Sequence, residues 1–213
     1  MAQVPFQELI SEVLSIAPAC PTPTIIRSMR NAAIELAQKA ECMRWELEGD
    51  LAIAGIPDTE LSVPTDMVMM HPISLRYNGK NIKPLSVRML DVDNVAWREE
   101  TSDVPTNWIP RQNAISTVRL YPIPSVTGTI TGEIAIKPSR DATGIEEVFM
   151  DRFMTYIIDG ALGRLLAIPS APWFDGQLAQ YHKSEFIAML DEARRIADAD
   201  NVPKLRKLKY GGN

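Results

Sequence analysis

Between residues 50 and 138 the apolar residues of this chain recur at every second position, whereas on either side they recur every third or fourth. A helical period and a strand period cannot be satisfied by one element, so the chain must fold as helices flanking a β-rich middle. LAIAGIP, DMVMMHPISLRY, KNIKPL, NWIPR, STVRLYP and GTITGEIAIKP all read as short strands. Asn78-Gly79 is a strong two-residue hairpin signal between Tyr77 and Ile82. Pro57, Pro64, Pro72, Pro84, Pro105, Pro110, Pro122, Pro124 and Pro138 punctuate this region. Proline removes a ladder donor, so it suits strand ends and sheet edges and predicts a small antiparallel sheet or sandwich.

The most strongly patterned stretch is residues 119–139, RLYPIPSVTGTITGEIAIKPS. It reads as a β-hairpin around a Ser/Thr/Gly turn, with Pro122, Pro124 and Pro138 closing its outer ends. Its loop is Ser125, Val126, Thr127, Gly128 and Thr129.

Upstream, Phe6, Leu9, Ile10, Val13 and Leu14 predict a helix over residues 4–15. Thr24 is the expected N-cap of a longer one, whose buried stripe runs from Ile25 through Met43 to Leu47 and which Gly49 ends. Arg30, Glu35 and Lys39 are placed on its opposite, solvated face. The helical period returns at Glu146, with Phe149, Phe153, Ile157, Ala161 and Leu165 on one stripe. Gly160 and Gly163 predict a close helix–helix approach. Residues 86–97 predict a short helix capped by Ser86, and Asp175 caps the last helix. The expected class is α+β, a helical bundle of three long helices with an inserted small antiparallel sheet or sandwich. The corresponding divisions are helices over residues 1–49, the β-rich insertion over 50–144, helices over 145–200 and a basic tail over 201–213.

Net charge is −5, but Lys204, Arg206, Lys207 and Lys209 face no acid in the last thirteen residues. Without those four charges, residues 1–200 carry −9. An acidic body of this kind is a poor duplex-binding surface. Leu205 and Leu208 are interleaved with the tail cations, and Tyr210 follows them. A segment with both charge and regular leucines is suited to docking on an acidic protein surface, so Lys204–Tyr210 is the predicted docking segment. The alternatives are an unremarkable disordered terminus and salt-sensitive nucleic-acid contact through the same cations.

Chemistry-bearing motifs are sparse. No phosphate loop, dinucleotide fingerprint, HExxH or nucleophile elbow is present, and the chain is expected to be no enzyme and to hold no cofactor or metal. Asp91 and Asp93 form a DxD read as solvated surface, as are Glu146, Glu147, Asp198 and Asp200. His182 and Ser184 are two apart on a helix, about 200° around it, and cannot form a dyad. His71 is expected at the surface or in packing. Cys20 and Cys42 are expected as free thiols. The N-terminus has no basic region before its apolar residues and no segment is long enough to span a bilayer, so synthesis inside the cell is expected and no membrane partner.

The order of these features resembles a known family. PACPTPTIIRSMRNAAIELAQKAECMRW leads into the N-G-K hairpin and VPTNWI; VRLYPIP, EIAIKP and then QLAQYHKSEF with its final ARR helix follow. This succession, over nearly the whole chain, is similar to the head-to-tail adaptors (connector, or tail tubular A-like proteins) of tailed bacteriophages. The resemblance implies a virion structural protein in the neck or tail, assembled in the host cytoplasm. It implies a ring of about twelve copies under the portal protein. Such a ring continues the DNA channel, passes DNA without binding it specifically, and presents a platform to the downstream tail or nozzle protein. In such rings the helices and C-terminal tail contact the portal while β-loops face the tail, which makes Ser125–Thr129 the predicted contact with a neighbouring subunit or a tail component. The compact β-region leaves little room for a large fibre-binding domain.

Overall fold

The computed structural model describes residues 3–93, 96–111 and 116–200. The N-terminal segment is shorter in helix than its periodicity implies. Strand β1 (Gln3–Pro5) runs into a 3-10 turn (Phe6–Leu9) and helix α1 (Ile10–Ile16). Helix α2 (Thr22–Ala40) begins two residues before Thr24, with Pro21 preceding it. It stops at Glu41, which takes the left-handed conformation (φ 50°) and donates its N–H to the Ala37 carbonyl.

Met43 and Leu47 therefore do not extend the helix; Leu47 lies on strand β2 (Arg44–Ala52) and Met43 just before it. Met43, Trp45 and Leu47 alternate with Arg44, Glu46 and Glu48, so the same residues satisfy a period of two. The helical reading took every fourth residue of a strand. Gly49 is not a helix stop. It lies at φ 140° in a bulge where β2 gains one residue on its partner, a conformation that favours glycine.

The remaining strands are β3 (Asp58–Glu60), β4 (Met67–Tyr77), β5 (Lys80–Pro84), β6 (Thr101–Ser102), β7 (Asn107–Pro110), β8 (Thr117–Tyr121), β9 (Ile123–Pro124), β10 (Gly128–Pro138) and β11 (Gly144–Glu146). Helices α3 (Val87–Asp93), α4 (Glu147–Leu165) and α5 (Gly176–Asp200) complete the elements of the described residues. Seven strands form one mostly antiparallel sheet in the order β2-β10-β4-β5-β7-β8-β3. Pairs β1–β11 and β6–β9 stand outside it. The sheet curls until its outermost strands approach, and Asp50 of β2 accepts the backbone N–H of Ser62, just past β3, at 2.8 Å.

The α+β class stands, but the sheet is neither small nor a sandwich. One apolar core runs through helices and sheet together, from Ile25, Met29 and Leu36 of α2 to Ile130, Ile134 and Ile136 of β10 and Phe153 and Ile157 of α4. Each such side chain contributes about 1.5–3 kcal/mol on burial. The helices therefore cover the sheet as well as one another, in place of a bundle from which a β-element projects.

The hairpin expected over residues 119–139 does not form. Its first arm, β8, pairs with β7 and β3, whereas its second, β10, pairs with β2 and β4. Pro122 and Pro124 explain the separation: without backbone donors there, the chain cannot continue a ladder back along β8. Instead it crosses to the far side of the sheet, with Ile123–Pro124 pairing in parallel with Thr101–Ser102. The Asn78-Gly79 hairpin does form, with both residues at positive φ and Tyr77 opposite Lys80.

Capping expectations at α3 and α5 hold. Ser86 Oγ accepts the Arg88 N–H at 3.3 Å, and Asp175 Oδ1 accepts those of Gln177 and Leu178 at 3.0 and 2.9 Å. The glycines on α4 also act as expected: a Cβ on Gly160 would sit 2.8 Å from the Ala32 Cβ and from the Phe186 ring. Arg30 departs from its assigned solvated face. Its guanidinium donates to the carbonyls of Ala142 (2.6 Å) and Arg140 (2.9 Å), fastening α2 to the loop before β11.

Candidate assembly surface

Several strands end in loops that meet at one tip of the sheet. Ser125 donates its N–H to the Ser102 carbonyl (2.9 Å) and its hydroxyl to Asp103. The Tyr77 hydroxyl donates to the Val126 carbonyl. Thr127 Oγ1 accepts the Ala54 N–H (3.1 Å), and the Thr129 N–H reaches Asn78 Oδ1 (2.9 Å). Gly128 packs so closely on Tyr77 that a Cβ would lie 2.5 Å from its ring. The loop is thus fixed on both sides, by the 53–56 turn and by the Asn78-Gly79 turn.

What this fixed loop presents is apolar. Val126 is 52% exposed, and Leu51, Ile53 and Ile56 beside it are 60%, 48% and 46% exposed. A lone domain gains nothing by holding four aliphatic side chains in water at one tip, and patches of this kind mark interaction surfaces. The sequence reading named Ser125–Thr129 and did not name Leu51, Ile53 and Ile56 beside them, because LAIAGIP reads as an ordinary strand. The signal available was its Gly55–Pro57 stretch, which forces a turn where apolar residues would otherwise be covered.

The other candidate residues do not converge. Asp91 is not simply solvated: it accepts the Trp97 indole N–H at 2.8 Å and an Arg98 N–H at 2.8 Å. The indole bond in particular holds its carboxyl below the usual carboxylate range. The side chains of Asp93 and Asp200 lie outside the described residues, as do Lys204–Tyr210. His71 lies 3.5 Å from Glu41 at the surface. Glu147 and Asp198 are exposed, but Glu146 is only 8% exposed and is not a surface charge. It ends β11, inside the sheet-like pairing with β1, and this register buries it. Ser184 bonds only within its own helix, to the Gln180 carbonyl. His182 pairs instead with Asp159 on α4, a contact between helices that sequence separation hides. Cys20 and Cys42 are both buried free thiols. Among the described residues no three His, Cys, Asp or Glu side chains are grouped as a metal would need, and no helix is long and apolar enough to cross a membrane.

Among the described residues the candidate side chains gather in no common polar pocket, and the tip of this α+β body presents exposed aliphatic side chains, the kind of surface that marks interaction sites. The SU10 adaptor protein family matches residues 4–206, and the chain belongs to this family of phage head-to-tail adaptors. Its role is accordingly structural, in the neck of the virion. No curated protein sequence matches the chain.

Proposed function

We propose that the chain is one subunit of a closed ring of about twelve copies that sits under the portal and continues the DNA channel into the tail. The observation that carries this reading beyond family membership is the exposed apolar tip of Leu51, Ile53, Ile56 and Val126. It supplies a platform for the downstream tail protein or the next subunit. Lys204–Tyr210 docks on the portal protein, combining cations with Leu205, Leu208 and Tyr210. The −9 carried by residues 1–200 repels phosphates, so DNA passes without being held. Assembly takes place in the host cytoplasm, and the ring performs no catalysis.

The test is to mix purified protein with portal and image the product by electron microscopy. A ring seated on the portal is the expected result; portal particles without added density would overturn the reading.

A further inference from the structure

Helices α2, α4 and α5 enclose an open groove of about 360 Å³. Its floor is small and apolar: Gly160 and Gly163 of α4 line it without side chains, and the Phe186 ring of α5 packs against Gly160. Ile187, 50% exposed, stands beside them. The rim is basic. Lys39, Arg164 and Lys183 line the groove against one acid, Glu35. Both Lys39 and Arg164 bind Glu35, so no lining acid is left for Lys183. Arg164 is fixed further by the Gly160 carbonyl at 2.6 Å and lies 5.7 Å from the centre of the Phe186 ring. Three cations less one acid leave the groove at +2, on a body whose residues 1–200 carry −9.

The chain carries a complementary surface on the first half of α4. Glu147 and Asp151 are exposed, and Val148 and Met154 beside them are 56% and 37% exposed. Arg152, the one cation within residues 147–158, lines the cavity beside Cys42 instead. At about 100° per residue, Glu147, Asp151 and Met154 fall within about 60° of one another, and Gly160, Gly163 and Arg164 centre about 180° away. Each copy therefore presents an acidic, apolar stripe on one side of α4 and a basic, apolar groove on the other. A two-fold pair needs both patches on one surface. Unlike patches on opposite sides join copies head to tail, the arrangement that can close as a ring.

We propose that the α2–α4–α5 groove of one copy receives the stripe over residues 147–154 of a second copy. The acids of the stripe meet the cationic rim, and Val148 and Met154 lie against the apolar floor. This rests on the ring reading given above and adds the two faces that form the ring. The tip of Leu51, Ile53, Ile56 and Val126 takes no part in the contact and stays open to the tail component.

The test uses the full-length protein with portal, imaged and then coupled by carbodiimide. Labelled and unlabelled copies are mixed, so that links between copies are told from links within one. Links between copies should join Lys183 or Lys39 to Asp151 or Glu147. Lys183→Glu and Asp151→Lys should each weaken ring formation at least about tenfold, and a chain carrying both should recover it, because opposite charges then meet at every contact. Both side chains are exposed, so each variant should keep the thermal midpoint of the wild type. Unchanged rings with either single variant, a double variant no better than the singles, or links only to acids elsewhere would overturn this proposal and leave the ring reading standing. Wild-type protein that makes no ring on the portal would overturn both.

Discussion

The imidazole Nδ1 of His182 on α5 lies 2.6 Å from a carboxylate oxygen of Asp159 on α4. Both side chains are largely buried, at 9% and 15% exposure, and this contact supplies a buried polar tie between the two helices. Removing one partner of such a pair leaves the other without compensation in a water-poor site. Asp159→Ala should cost about 3 kcal/mol, read from urea unfolding curves. Ser184→Ala, which removes only a bond within its own helix turn, should stay within about 0.5 kcal/mol. Equal effects for the two would show that the interhelical contact carries no stability.

Gly160→Ala sets helix propensity against packing. Alanine would gain up to about 1 kcal/mol in an exposed helix. At this position its Cβ would meet Ala32 and Phe186 at 2.8 Å, and overpacking costs about 1–3 kcal/mol. We expect net destabilisation, seen as a lower thermal midpoint. A rise would mean that α2 and α5 can move apart freely.

Asp66 fastens three segments, accepting the Thr143 N–H and hydroxyl, each at 3.1 Å, and the Gln3 amide at 3.2 Å. The Thr143 backbone donor above all holds its carboxyl below the ordinary carboxylate value. Because the native value is lowered, the stabilisation is fully present above the unfolded value and disappears as pH falls through the native one. The difference in urea midpoint between wild type and Asp66→Ala should be constant from neutral pH to about pH 5 and should shrink below about pH 4. A difference that persists to pH 2 would contradict this origin.

Burial pushes the Cys42 thiol up to about 12, and it raises that of Cys20 as well. Little thiolate exists on either at pH 8, and access is poor. Labelling by a thiol reagent should be at least about 100-fold slower in the native protein than in 6 M guanidinium. Rapid native labelling of Cys42 would show that α5 opens away from β2.

The tip should matter to assembly but not to folding. Leu51→Asp combined with Val126→Asp should leave unfolding free energy within about 1 kcal/mol, since both side chains are more than half exposed. The same variant should lose attachment to its ring neighbour or tail partner in sedimentation. Undiminished complex formation would remove the tip from the interface.

Local rules fixed much of this protein in advance. Asn78-Gly79 had to turn a hairpin because both positions need positive φ, Ser86 and Asp175 had to cap, and Gly160 had to mark a close approach. Each depends on residues within a turn of one another, or on a steric property of one residue. The change of apolar period likewise announced α+β, and the succession of motifs announced the adaptor family.

Tertiary structure decided the rest, wherever a residue had two locally acceptable fates. Met43 and Leu47 fit a helix or a strand, and pairing of β2 with β10 chose the strand. The arms of residues 119–139 fit one hairpin, yet each found better-buried partners elsewhere in the sheet. His182 met Asp159, and Leu51, Ile53 and Ile56 gathered beside Val126, through contacts between residues 23 to 75 positions apart. Such contacts are set by how whole surfaces pack, which no local period encodes. The sequence alone determined the kinds of elements and the charge of the body. Only the fold determined which strands pair and which apolar side chains remain uncovered for a partner.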